Sequence, residues 1–146
     1  MTAKQSLADV GLKAMSKIHQ AILHGTGGRV LRSAFGMQAV ELHTVGRKSG
    51  KVRTTMLTSP VIDGDQLVLV ASKGGDDRDP DWYRNLVAHP DIELTLDGVE
   101  RSMHARTATS QEKRELWPKV VAAYKGYDGY QRRTQRDIPL VICEPR

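Results

Sequence analysis

At 146 residues, 39% hydrophobic and 27% charged, the chain has the size and composition of a single soluble globular domain. Its one cysteine excludes an internal disulfide and a cysteine-rich zinc site, and no run approaches the roughly 18 apolar residues of a membrane-spanning helix. The net charge of +5 favours anionic partners, but 5% aromatic content argues against single-stranded nucleic acid held by base stacking.

The amino terminus lacks the apolar stretch and cleavage site of a secretory signal, so a cytoplasmic protein is expected. In SLADVGLKAMSKIHQAIL, Leu7, Val10, Met15, Ile18 and Ile22 share one helical face, with Lys13 and Lys17 on the other. This predicts a helical segment within residues 1–35. It either packs on the core or, through residues 1–24, rests as a basic amphipathic helix on the inner face of the cell membrane. HGTGGR then ends the helix.

From Met37 the period changes. MQAVELHTV reads as a strand, GRKSG as its turn and VRTTMLTSPVI as a second strand, with Pro60 marking an edge or a bulge. Asp63-Gly64 predicts a hairpin into the apolar strand QLVLVAS, and KGGDDRD a loop. Asp79 and Pro80 suit the N-cap and first position of a helix through DWYRNLVAH, which His89-Pro90 stops. Ile92, Leu94 and Leu96 alternate with Glu93 and Thr95, and Asp97-Gly98 turns that strand back into VERSMHART. Thr109 and Glu112 have capping-box spacing at the head of a helix through TSQEKRELWPKVVAAY, in which Pro118 predicts a kink or break. IPLVIC is the last strand. About six strands, mostly antiparallel, with some three helices make a mainly β, α+β chain. Helices do not alternate with strands, which argues against a parallel dinucleotide-binding sheet. One barrel-like domain over 1–146, as monomer or dimer, is expected.

The chemistry-bearing stretch is GRKSGKVR, which sets Arg47, Lys48, Lys51 and Arg53 around one turn. It is no Walker loop, because only three residues separate its glycines and Val52 follows Lys51. GTGG at residues 25–28 lacks the dinucleotide spacing. His19 and His24 fall on different helix faces and no HExxH spacing exists, so no metal site is expected. Cys143, in an apolar strand, reads as a buried inert thiol. What remains is an anion cradle. Arg47, Lys48 and Arg53 flank one glycine turn. In the second element, Ser72 offers a hydroxyl, Lys73 a cation, and Gly74-Gly75 a backbone whose N–H groups can converge on an oxygen. The competing reading is two solvated hairpin tips.

Taken in order, GRKSGKVR, LVLVASKGG, DPDWYRNLVAHP and YKGYDGYQRRTQRDIPLVICEP resemble the deazaflavin-dependent nitroreductase family, F420-dependent reductases of mycobacteria and related actinobacteria. The match runs from about Leu42 to Arg146. The resemblance implies a split β-barrel, FMN-binding-protein-like, and coenzyme F420, a 5-deazaflavin bearing a phosphate and an oligoglutamate tail. It implies that Arg47, Lys48 and Arg53 meet the tail and phosphate, and that Ser72, Lys73, Gly74 and Gly75 form a second contact. Thr55 and Met56 would line the ring. Trp82 and Tyr83 would stand beside the cofactor, with a core role the alternative for Trp82.

The same resemblance makes Thr58, Tyr124, Tyr127 and Tyr130 a substrate wall. The proton that follows the hydride could come from Tyr130 or Ser72, the catalytic candidates, or from Tyr127 or water. The other reading of the tyrosines, which recur every third residue, is one side of a helical turn used for simple packing. The activity implied is hydride transfer from reduced F420 to a quinone, activated enone or nitro acceptor. The alternatives are an FMN-dependent split-barrel oxidoreductase and a non-catalytic binder of F420 or anionic lipid. Two departures stand out. Met56-Leu57 occupies the place of a common Pro-Leu step, and Thr58 that of a tyrosine in the member that activates bicyclic nitroimidazoles, which favours quinones over those drugs.

Overall fold

The computed structural model describes residues 37–146, in which the alternating segments form one seven-stranded sheet. The strands are β1 (Gln38–Val45), β2 (Val52–Ser59), β3 (Val61–Asp63), β4 (Gln66–Val70), β5 (Asp91–Leu96), β6 (Val99–Thr107) and β7 (Leu140–Pro145). Three helices accompany them: α1 (Asp81–Ala88), α2 (Ser110–Ala123) and α3 (Gly126–Arg133). The strand order is β2-β1-β5-β6-β7-β4-β3 and every neighbouring pair is antiparallel. The expected amino-terminal helix, its alternative lipid-facing role, and His19 and His24 lie outside the described residues.

Seven strands replace the expected six because Pro60 divides VRTTMLTSPVI. Proline has no N–H for the ladder and a fixed φ, so β2 stops at Ser59 and β3 restarts at Val61. Those two strands are the outer edges of the sheet. The sheet curls into a half-barrel, and Ser59 Oγ, 2.7 Å from the Val68 carbonyl and 3.0 Å from that of Val61, ties the end of β2 to β4.

Alternation along the strands creates two apolar layers. Val40, Leu42, Leu69, Leu94 and Val141 line the inner face, where Trp82 and Leu86 of α1 join them. On the outer face Val68, Val70 and Ile142 meet Val120 of α2 and Tyr127 of α3. Strand β4 is therefore covered on both sides, which is why QLVLV reads as a continuous apolar run. Burying each such side chain stabilises the fold by about 1.5–3 kcal/mol before the entropy of ordering it. Cys143 is fully buried, and burial pushes its thiol up to about 12, leaving it protonated and inert.

The helices depart from expectation at three points. Pro80 is itself the N-cap of α1, and Asp81 the first helical residue, because the Asp79 carboxylate is turned to Arg136 instead. Helix α2 runs through the exposed Pro118 without a break. It is anchored at its head by the expected capping box. Thr109 Oγ1 accepts from the Glu112 N–H at 3.1 Å and Glu112 Oε1 accepts from the Thr109 N–H at 2.9 Å. Helix α3 spans GYDGYQRR, where the sequence offered at most one helical turn of tyrosines.

Arg106 on β6 donates to both Glu112 oxygens, at 2.8 and 2.9 Å, and to Glu144 of β7 at 3.2 Å. That guanidinium, with the Thr109 amide, holds the Glu112 carboxyl at about 2 instead of 4.5. A carboxylate depressed in the folded state stabilises it above its unfolded value, and the benefit disappears as pH falls through the folded one. Wild type should thus exceed Glu112→Gln in stability by a constant margin above about pH 5, narrowing toward about pH 2. Urea denaturation at stepped pH measures the margin, and a margin independent of pH would contradict this role for the ion pair.

Candidate functional site

The cations of GRKSGKVR do not share one fate. The β1–β2 turn is closed by Gly46 N–H to Lys51 O at 2.8 Å and Gly50 N–H to Gly46 O at 2.9 Å. From it Arg47 reaches back to α1, its main-chain N–H and its Nη1 both donating to Asn85 Oδ1, at 3.1 and 2.9 Å, and its Nη2 facing Asp81 at 3.4 Å. Asn85 is buried and also donates to Thr44 Oγ1 at 3.5 Å, so Arg47 docks the turn on the helix. Lys48, Lys51 and Arg53 are exposed, and among the described residues no carboxylate lies within ion-pair distance of them. The turn therefore carries three uncompensated positive charges.

The second element follows β4. Ser72 is buried, and Lys73, Gly74 and Gly75 form one 3₁₀ turn with φ of 47°, 64° and 85°. Three consecutive left-handed residues are costly for any chain, and two of them are glycine for that reason. Gly75 answers a further demand, because a Cβ there would lie 2.9 Å from the Tyr130 carbonyl oxygen and 3.1 Å from Arg133 Cβ. The loop thus packs directly on the backbone of α3.

Helix α3 carries the tyrosines. Tyr124, at the carboxyl end of α2, and Tyr127 and Tyr130 of α3 form one aromatic cluster with ring centroids 5.2–6.2 Å apart. Their exposure separates them. Tyr127 is 7% exposed, with its hydroxyl 3.8 Å from Met37 Sδ, while Tyr124 and Tyr130 are half-buried. Burial raises the Tyr127 phenol, partly countered by hydrogen bonding to Thr58 of β2. The Tyr124 hydroxyl, 3.3 Å from that of Tyr130, and burial push the Tyr130 phenol up to about 12. Arg133 lies over the Tyr130 ring at 5.6 Å and reaches the Gly74 carbonyl at 3.5 Å.

Of the remaining expected residues, Met56 is buried and Thr55 and Thr58 are half-buried, all on β2. Trp82 belongs to the inner core layer, and Tyr83 OH meets Thr107 Oγ1 at 2.8 Å. Two contributors went unassigned from sequence. Asn85 and Arg136 both sit inside the stretches DPDWYRNLVAHP and QRRTQRDIPLVICEP, but as lone polar residues they give no periodic signal. Among the described residues no group of His, Cys, Asp or Glu is placed to hold a metal ion, and no helix is long and apolar enough to cross a membrane.

The half-barrel places the chain in a class, the split-barrel, FMN-binding-like fold that it shares with its solved neighbours. One is an F420-H2 dependent reductase, 36% identical, with a TM-score of 0.66 over 73% of this chain and 93% of its own. Another, described as a domain-swapped dimer, is 31% identical with a TM-score of 0.67, over 80% and 94% of the two chains. An F420H(2)-dependent quinone reductase of Mycobacterium tuberculosis (strain ATCC 25618 / H37Rv) is 38% identical over 141 residues, which cover 94% of this chain and 93% of the relative. The model of the F420H(2)-dependent quinone reductase family matches residues 15–145. The chain belongs to that family. It is an oxidoreductase whose cofactor is reduced coenzyme F420.

Proposed function

We propose that the chain transfers a hydride from reduced F420 to quinones, with activated enones and nitro compounds as secondary acceptors, and that the site draws on the β1–β2 turn, the Ser72–Gly75 loop and α3. The observation that supports this reading is the set of uncompensated cations in the turn. A cofactor with a phosphodiester and several carboxylates supplies the negative charge those groups lack. Lys48 and Arg53 would hold its anionic part, Lys48 as a mobile point charge and Arg53 as a planar fork. Arg47 acts one step back, fixing the turn on α1. Ser72, Lys73, Gly74 and Gly75 form the second contact, and Thr55, Met56, Trp82 and Tyr83 complete the walls.

When bound, the reduced deazaflavin is the hydride donor. The protein's share is alignment, exclusion of water and a proton. Tyr124 and Tyr130 suit the acceptor side, since each offers a half-exposed ring with a polar tip. With a phenol near 12, Tyr130 stays protonated through neutral pH, so it can donate a hydrogen bond to a developing quinol oxygen. Tyr127 supports these two rings from the core.

A test uses one preparation, reduced F420 as donor, and menadione and a bicyclic nitroimidazole at matched concentration, followed by cofactor oxidation. Menadione is expected to turn over and the nitroimidazole poorly, because Thr58 is small and adds no ring to the acceptor side. Nitroimidazole turnover without menadione turnover would overturn the assignment of acceptor.

A further inference from the structure

Arg136 lies in the connection from α3 to β7, with no chemical role assigned to it from sequence, yet it makes more directed contacts than any cation of the basic turn. Its Nη2 donates to the carbonyls of Ala71, at 3.1 Å, and Ser72, at 2.8 Å. Nε donates to the Asp76 carbonyl at 2.8 Å, and Nη1 to Asp79 Oδ1 at 3.0 Å. The side chain is only 15% exposed. One guanidinium therefore grips both ends of the Ser72–Gly75 loop and the acidic residue that leads into α1.

The loop needs such a grip. Its three left-handed residues include Lys73, which has no glycine freedom, and its internal bonds are two, Gly75 N–H to Ser72 O at 2.9 Å and Asp76 N–H to Lys73 O at 3.1 Å. Among the described residues, no protein acceptor meets the Ser72 or Gly74 amide. Carbonyl oxygens repel an anion and amides attract one. By occupying the three flanking carbonyls and neutralising Asp79, Arg136 removes the loop's negative ends while leaving those amides open.

We infer that Arg136 is a positioning residue for cofactor binding, which presets the Ser72–Gly75 loop to receive an anionic group without touching it. The inference rests on the reading of that loop as a cofactor contact. Lysine cannot reproduce the role, since one ammonium does not point donors at four oxygens in a plane.

The experiment compares Arg136→Lys, Arg136→Ala and Lys73→Ala in full-length protein. It measures F420 affinity by fluorescence titration, steady-state kinetics with menadione, and folding by circular dichroism. Arg136→Lys and Arg136→Ala are expected to bind F420 about tenfold or more weakly. At saturating F420 their kcat and quinone KM should stay within about twofold of wild type. Guanidinium ion at non-denaturing concentration should restore affinity to Arg136→Ala and not to Arg136→Lys. Wild-type affinity in a folded Arg136→Lys would overturn the inference while leaving the loop reading intact, provided Lys73→Ala binds more weakly. Unchanged affinity in Lys73→Ala would remove the loop reading and the inference with it. If both Arg136 variants fail to fold, Arg136 belongs to the scaffold and the inference falls.

Discussion

Lys48→Ala/Arg53→Ala is expected to bind F420 about 2–4 kcal/mol more weakly, roughly 30- to 1,000-fold, with its fold intact. Each residue contributes a charge-assisted bond, worth about 1.5–3 kcal/mol when the partner is ionised. The sum of about 3–6 kcal/mol is discounted by about a third because both side chains are exposed and screened by solvent. Among the described residues neither makes an ion pair, so their removal leaves no buried charge behind and no reason to unfold. Raising the salt should weaken wild-type binding and flatten that of the variant, because the screening length shrinks from about 8 Å at physiological ionic strength to about 3 Å at 1 M. Riboflavin, with neither phosphate nor carboxylate, should bind both proteins alike and weakly. Fluorescence titration at two salt concentrations decides the matter, and wild-type F420 affinity in the double variant would place the anion elsewhere.

The largest effect on stability is expected at Gly75. Gly75→Ala combines two costs: a left-handed φ of 85°, and a Cβ driven to 2.9 Å from the Tyr130 carbonyl. The backbone term is about 1–2 kcal/mol and the overpacking term about 1–3 kcal/mol, giving about 2–5 kcal/mol in total. Gly74→Ala is the internal control. Its φ is 64° but no atom lies within 4 Å of the added Cβ, so only the backbone term of about 1–2 kcal/mol remains. Urea denaturation of the two variants separates the terms. Equal losses would mean that α3 yields to the loop freely and that the close approach is not a constraint.

Much of the fold was legible because it rests on period and on turn chemistry. Ile92, Leu94 and Leu96 announced β5, and both Asp97 and Gly98 adopt the left-handed turn conformation that their pairing suggested. The capping box at Thr109 and Glu112 formed as its spacing required. Helix α3 was legible only as a possible turn of tyrosines, for the opposite reason. An eight-residue helix containing Gly126 and Gly129 has poor intrinsic propensity, and it forms because Tyr127 is buried and Gly75 lets its backbone approach. The break that Pro118 allowed does not occur, because a proline on an exposed helical face removes one hydrogen bond but need not end a helix secured at its head.

What the sequence alone determined was the inventory: an antiparallel, hairpin-linked chain, a basic glycine turn, a second glycine loop, a tyrosine triplet, and the family to which their order points. These follow from local spacing, and spacing is what a sequence records. Which cations are at liberty was decided only by the tertiary structure. Arg47 and Lys48 are neighbours with like charge, yet α1 brings Asn85 and Asp81 to the first and leaves the second in solvent. The three tyrosines recur at one interval, yet packing against the outer core layer buries Tyr127 and leaves Tyr124 and Tyr130 half-exposed. Arg136 finds its carbonyl partners 60–65 residues earlier in the chain. Partnership and burial depend on distance in space, and only the folding of the sheet onto its helices fixes that distance.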